Sequence, residues 1–230
     1  MVKIPYPADS SEVHRFEMDP ERVVVLTYSP AKAAARALAA LLALDDRLAE
    51  TVRTTREPML GQIRLKWWFD ALTALDSAPP PGEPVLEAVA QDVLTQGVAG
   101  KEVAAIAEAW GEVLGTELDD VALDRFAKRG RVLFELAGRV AGAAASDPLG
   151  AAGEGWALAD LADGLSEERE ARAARVRAEA LLTQTAGLRW SRNGRALGAM
   201  AHLARMDLAG SAKGSPRRVG RLLWHRMTGR

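Results

Sequence analysis

Cysteine is absent from the 230 residues, which excludes disulfides, thiolate metal centres and a cysteine nucleophile. Histidine occurs three times, at His14, His202 and His225, too far apart for the ligand spacing of a metal site. Aromatic residues make up only 5%; with alanine, leucine, arginine and glutamate dominant, that scarcity favours helix over strand. No apolar run reaches the roughly 20 residues that span a bilayer. The opening MVKIPYPADS has neither the apolar core nor the cleavage site of a signal peptide. Glycine-rich phosphate loops and internal repeats are missing too. These absences set the expectation of a soluble cytoplasmic protein.

What is present suits one sizeable helical core. Hydrophobic residues account for 48% and charged residues for 27%, the balance of an ordinary globular chain. The net charge of −1 hides an asymmetry. Residues 187–230 hold ten Lys/Arg against one acid, Asp207, which leaves 20 basic and 30 acidic groups in residues 1–186.

The strongest helical signal lies between Ser29 and Leu75. Ser29 reads as an N-cap with Pro30 in the first helical position, followed by an apolar stripe at Ala34, Leu38, Leu41, Leu48 and Val52. At about 100° per residue, Asp45 falls in the middle of that stripe. A second helix follows Pro58 with the stripe Leu60, Ile63, Trp67, Trp68, Ala71 and Leu75, and Arg64 falls near its centre. A buried, unpaired carboxylate costs several kcal/mol, so Asp45 and Arg64 are expected to meet between the two helices. They would form either a structural ion pair or a pair lining a cavity for a polar ligand.

Before this stretch, ERVVVLTY reads as a short strand or a helical turn in an N-terminal arm, 1–28. After it, SAPPPGEP makes a loop. Helices are expected at 85–96, 101–114 and 119–145, the last interrupted by Gly130, Gly138 and Gly142, then up to Gly164. A highly charged and exposed helix opens at Ser166, and two more cover 193–210 and 216–227. The fold class is all-α.

The segments YSPAKAAARALAALLALDD and EPMLGQIRLKWWFDAL resemble the squalene/phytoene synthase family of head-to-head prenyltransferases. FELAGRVAG (134–142) and GEGWALADLADGL (153–165) resemble that family's third and fourth core helices. The resemblance implies an isoprenoid (terpenoid) synthase type bundle, here over residues 29–212, around a central cavity that Trp67, Trp68 and Trp156 would line. In active members two aspartate-rich motifs on facing helices hold Mg²⁺, which binds and activates prenyl diphosphates. Here the first motif position reads Ala49-Glu50-Thr51-Val52-Arg53, so Glu50 is its one candidate ligand. The second reduces to Asp160-Leu161-Ala162-Asp163, whose carboxylates share a helix face. The pattern is closer to a divergent branch that includes a mitochondrial respiratory complex I assembly factor without convincing catalytic motifs.

The resemblance therefore implies a non-catalytic binding or assembly scaffold with no cofactor. The alternatives are a Mg²⁺-dependent prenyltransferase and an isoprenoid- or lipid-binding protein that keeps its cavity. The basic tail, 213–230, reads as an amphipathic helix. Arg217, Arg218 and Arg221 with Leu222 and Leu223 are its candidates for contact with an anionic membrane surface, at the inner face, or with an acidic protein partner. The competing expectation packs its apolar side on the bundle while the arginines snorkel. The acidic body argues against nucleic acid.

Overall fold

The computed structural model describes residues 19–115 and 117–230, and the regular structure in them is helical throughout. The all-α expectation is met. Residues 1–18, with His14 and most of the expected N-terminal arm, lie outside the described residues.

Helix α1 (Pro20–Leu26) starts where Asp19 accepts a hydrogen bond from the Glu21 amide at 2.9 Å, with Pro20 in the first turn. ERVVVLTY is thus helical. Its end moves the start of α2 (Lys32–Arg53) two residues past the expected one. The amides of Thr27, Tyr28 and Ser29 close the last turn of α1 on Val24, Val25 and Leu26, so Ser29 finishes one helix instead of capping the next.

Pro58 and Pro84 open α3 (Pro58–Ala74) and α4 (Pro84–Asp92) at positions where a missing N–H leaves nothing unsatisfied. Helix α5 (Gly100–Trp110) ends in a short 3₁₀ turn. Helix α6 (Asp120–Ala141) stops at Gly142, which takes φ +68° as a left-handed C-cap. Then come α7 (Leu149–Gly164), α8 (Glu168–Ala186), α9 (Arg195–Leu208) and α10 (Pro216–Thr228).

Helix α7 is the hub, packed against α6, α8 and α9. Its alanines and glycines are buried around most of its circumference. The α6–α7 crossing is set by glycine: a Cβ on Gly130 would lie 2.0 Å from the Gly153 carbonyl oxygen, and one on Gly153 2.2 Å from that of Gly130. The two backbones touch there. Of the expected glycine series, Gly130 makes the close approach, Gly138 receives the Leu149 side chain and Gly142 ends the helix. Helix α8, expected to be exposed, buries Ala171, Ala174, Ala178 and Leu182 on one side and turns its charges outward.

The basic tail packs on the bundle, but not by its apolar side. Arg218 is 1% exposed and pairs with Glu21 of α1 and Asp207 of α9. Arg221 lies half-buried against the ring of His202. Leu222 and His225 complete the inward face. Of the five residues expected to meet a membrane or partner, Arg218 and Leu222 are therefore unavailable, because α1 and α9 supply carboxylates that draw the Arg218 edge inward. The exposed face carries Val219, Leu223, Trp224 and Met227.

His202 and His225 meet edge to face, with ring centroids 4.7 Å apart. Burial comes first in pushing both below the ordinary range, His202 to about 3 with Arg221 adding to it, and His225 to about 4. The His225 Nε2–H donates to the Arg195 carbonyl at 3.0 Å, and its Nδ1 is buried without a hydrogen-bond partner. Both rings are therefore neutral in the fold, whereas an unfolded histidine titrates near 6.5. As pH falls below that value the unfolded chain takes up protons that the folded chain refuses, so stability falls with pH. Lowering pH from 7 to 5 is expected to cost on the order of 2 kcal/mol per histidine, measured by urea unfolding. His202→Gln should remove about half of that slope, and a flat profile between pH 7 and 5 would contradict the assignment.

Candidate functional site

The centre of the bundle is built around Arg129 of α6. It follows Phe126 by three residues and precedes Leu133 by four, which sets it on the buried face of that helix. Its side chain is fully buried. Nη1 donates to Asp45 of α2, and Nη2 donates to Asp160 and to the Ala157 carbonyl of α7, the latter at 3.2 Å. The second Asp45 oxygen accepts from Trp110 Nε1 at 2.9 Å. Aromatic rings enclose the guanidinium: Trp110 at 4.5 Å, Phe126 at 4.6 Å and Trp156 at 5.1 Å. The cation thus has carboxylates at its donor edge and π-faces around it, the two environments that suit a desolvated guanidinium.

Electrostatics follow from that enclosure. Burial pushes the Asp45 carboxyl up, Arg129 opposes the shift, and the Asp160 charge adds to it. For Arg129, burial works against the charge, but Asp45 and Asp160 outweigh it and hold the group above its ordinary value. At the next residue of α2, Asp46 pairs with Arg22 of α1, with Nη2 to Oδ1 at 3.2 Å. Burial again opposes the charge on Arg22, while Asp46, Asp45 and Asp160 raise its pKa. Three carboxylates and two guanidinium groups therefore form one connected cluster. It reaches solvent at Asp160, whose side chain is 54% exposed.

Of the sequence-predicted residues, Asp45, Asp160 and Trp156 come together here. The expected Asp45–Arg64 pair does not form. Helix α3 is turned so that Gly61, Leu65, Trp68 and Leu72 face the core. Arg64 is exposed and donates to Thr55 Oγ1 at 3.0 Å. The same rotation leaves Met59, Leu60, Ile63 and Trp67 on the surface. The three tryptophans consequently share no cavity: Trp68 is buried, Trp67 is exposed, and Trp156 packs beside Arg129 and Phe134. Arg64, Trp67 and Trp68 instead line a surface groove of about 300 Å³ with Glu50, Arg47 and Glu83. Glu50 is engaged by Arg47 there. Asp163 is exposed and apart from the Asp160 contact. No group of three or more His, Asp or Glu side chains is gathered as an ion site among the described residues.

Arg129 and Trp110 escaped sequence reasoning. Arg129 sits in the run Lys128-Arg129-Gly130-Arg131, which reads as a solvated basic stretch. The usable signal was its spacing from Phe126 and Leu133. Compared with known proteins, the chain matches no family model, no curated protein and no solved structure.

The arrangement predicts opposite outcomes for two substitutions. Arg64→Ala should leave the urea midpoint unchanged. Gly130→Ala should lower stability by about 1–3 kcal/mol or more, because its new methyl meets backbone rather than a movable side chain. A large loss for Arg64→Ala would restore the α2–α3 pairing.

Proposed function

We propose that the chain is a divergent, non-catalytic member of the squalene/phytoene synthase family that uses an isoprenoid synthase type bundle as a binding or assembly scaffold. One observation carries this reading: Arg129 bridges Asp45 on α2 and Asp160 on α7. In active members of that family, facing helices present carboxylates to Mg²⁺. Here facing helices present carboxylates to the guanidinium of Arg129. The residues fit a metal poorly. Both Asp45 oxygens already accept hydrogen bonds, and the remaining candidates, Glu50 and Asp163, lie elsewhere. A divalent ion entering this cluster would also sit against two guanidinium charges, Arg129 and Arg22.

A scaffold needs contact surfaces, and the outward faces of α3 and α10 carry apolar side chains suited to that use.

The test is pyrophosphate release from farnesyl or geranylgeranyl diphosphate with Mg²⁺, using the full chain. No release above a protein-free control is expected. Robust Mg²⁺-dependent turnover would overturn the scaffold reading and return the chain to the working prenyltransferases.

A further inference from the structure

The outward face of α10 is an unusual surface. Val219 is 49% exposed, Leu223 53%, Trp224 55% and Met227 76%. Val219, Leu223 and Met227 repeat every four residues, so they form one stripe, and Trp224 widens it. Apolar side chains face out while Arg218 and His225 face in, the reverse of what folding a helix onto a core would select. The inward face is held by Arg218, Leu222 and His225, and the stripe leaves about half or more of each of its side chains in solvent.

The surroundings have one sign of charge. Helix α10 contains no acidic residue. Arg217 and Arg221 flank one side of the stripe and Arg226 the other, by their positions on the helix. The Trp190 amide donates to the Gly229 carbonyl at 2.7 Å, which brings segment 188–192, with exposed Leu188, Arg189 and Arg192, to the C-terminal end of α10. The acids nearest the other end, Asp19, Glu21 and Asp207, are taken up by Lys213 and Arg218. Among the described residues no carboxylate pairs with Arg217, Arg226 or Arg230.

We propose that this face docks on an anionic lipid bilayer, with Leu223, Trp224 and Met227 entering the headgroup boundary and the flanking arginines meeting lipid phosphates. No helix among the described residues is long and apolar enough to cross a membrane, so the helix lies in the interface plane. Two observations favour a bilayer over a protein. Four apolar side chains fall short of the roughly 20–30 residues a side of a stable protein interface, while an interfacial helix needs one short apolar stripe with basic flanks. A second copy of the same face would set arginine against arginine. The proposal stands apart from the scaffold reading and survives or fails independently of prenyl diphosphate turnover.

Co-sedimentation of the full chain with vesicles tests it. The chain should pellet with phosphatidylcholine vesicles containing phosphatidylglycerol, far less with phosphatidylcholine alone, and less as salt rises. The combined substitution Leu223→Asp and Met227→Asp should weaken binding about tenfold or more with an unchanged helical circular dichroism spectrum, since both side chains point outward. Trp224→Phe should abolish the blue shift of tryptophan emission seen on adding anionic vesicles. No binding to anionic vesicles, or undiminished binding by the double variant, would overturn the proposal. A dimer in solution that the double variant dissolves would overturn it as well, by assigning the face to a second copy.

Discussion

The buried guanidinium of Arg129 is the constraint on which the rest depends. A fully desolvated cation is tolerated only where carboxylates and hydrogen-bond acceptors replace its water. Here those come from two other helices: Asp45 from α2 and Asp160 with the Ala157 carbonyl from α7. Arg129 therefore fixes the register of three helices at once. The neighbouring Gly130 makes this reachable. By letting α6 and α7 touch at backbone distance, it brings the α7 carbonyl and carboxylate within range of a side chain on α6. Trp110 at the end of α5 adds a fourth element through its hydrogen bond to Asp45. Lost pairing would leave an uncompensated charge in the core, so the cluster specifies one arrangement of helices more than it adds net stability.

A second lock of the same design holds the C-terminal helix. Arg218 is buried between Glu21 and Asp207, which ties the start of the described chain to its end. Here the contact between Arg218 and Glu21 joins the basic segment to the acidic body, and the charge asymmetry of the sequence is in part a record of it. Of the remaining arginines of α10, Arg221 meets the His202 ring and Arg226 lies over that of Tyr28; among the described residues none of them pairs with a carboxylate. The tail thus divides into an inward half that completes the fold and an outward half exposed to solvent.

Much of this was legible in the sequence. Helix positions followed from proline starts, glycine stops and three- to four-residue apolar spacing, and the boundaries moved by only a few residues. Asp45 was recognised as buried because a carboxylate stood in an apolar stripe. Its partner was not, because periodicity gives the face of a helix but not which helix that face meets. Arg64 was the opposite charge standing in the apolar stripe of the next helix; Arg129, 84 residues away in the chain, is the one that meets Asp45. Helix α3 misled for a related reason. It is apolar on several sides, so Met59, Ile63 and Trp67 competed with Leu65, Trp68 and Leu72 for the core, and only packing against α5 decided between them. In α10 the amphipathic pattern is legible, but Leu222 turns inward with Arg218 and His225, away from Val219, Leu223 and Met227, a direction set by Glu21 of α1 and Asp207 of α9.

The central claim is that Asp45 and Arg129 act as one unit, and a double-mutant cycle tests it most directly. Urea unfolding would be measured for Asp45→Asn, Arg129→Met and the two combined. Each single substitution is predicted to cost about 3–5 kcal/mol, because it strands the other charge in the core. The combined variant is predicted to lose less than the sum of the two by about 2 kcal/mol or more. Additive losses, or near-neutral single variants, would contradict the account.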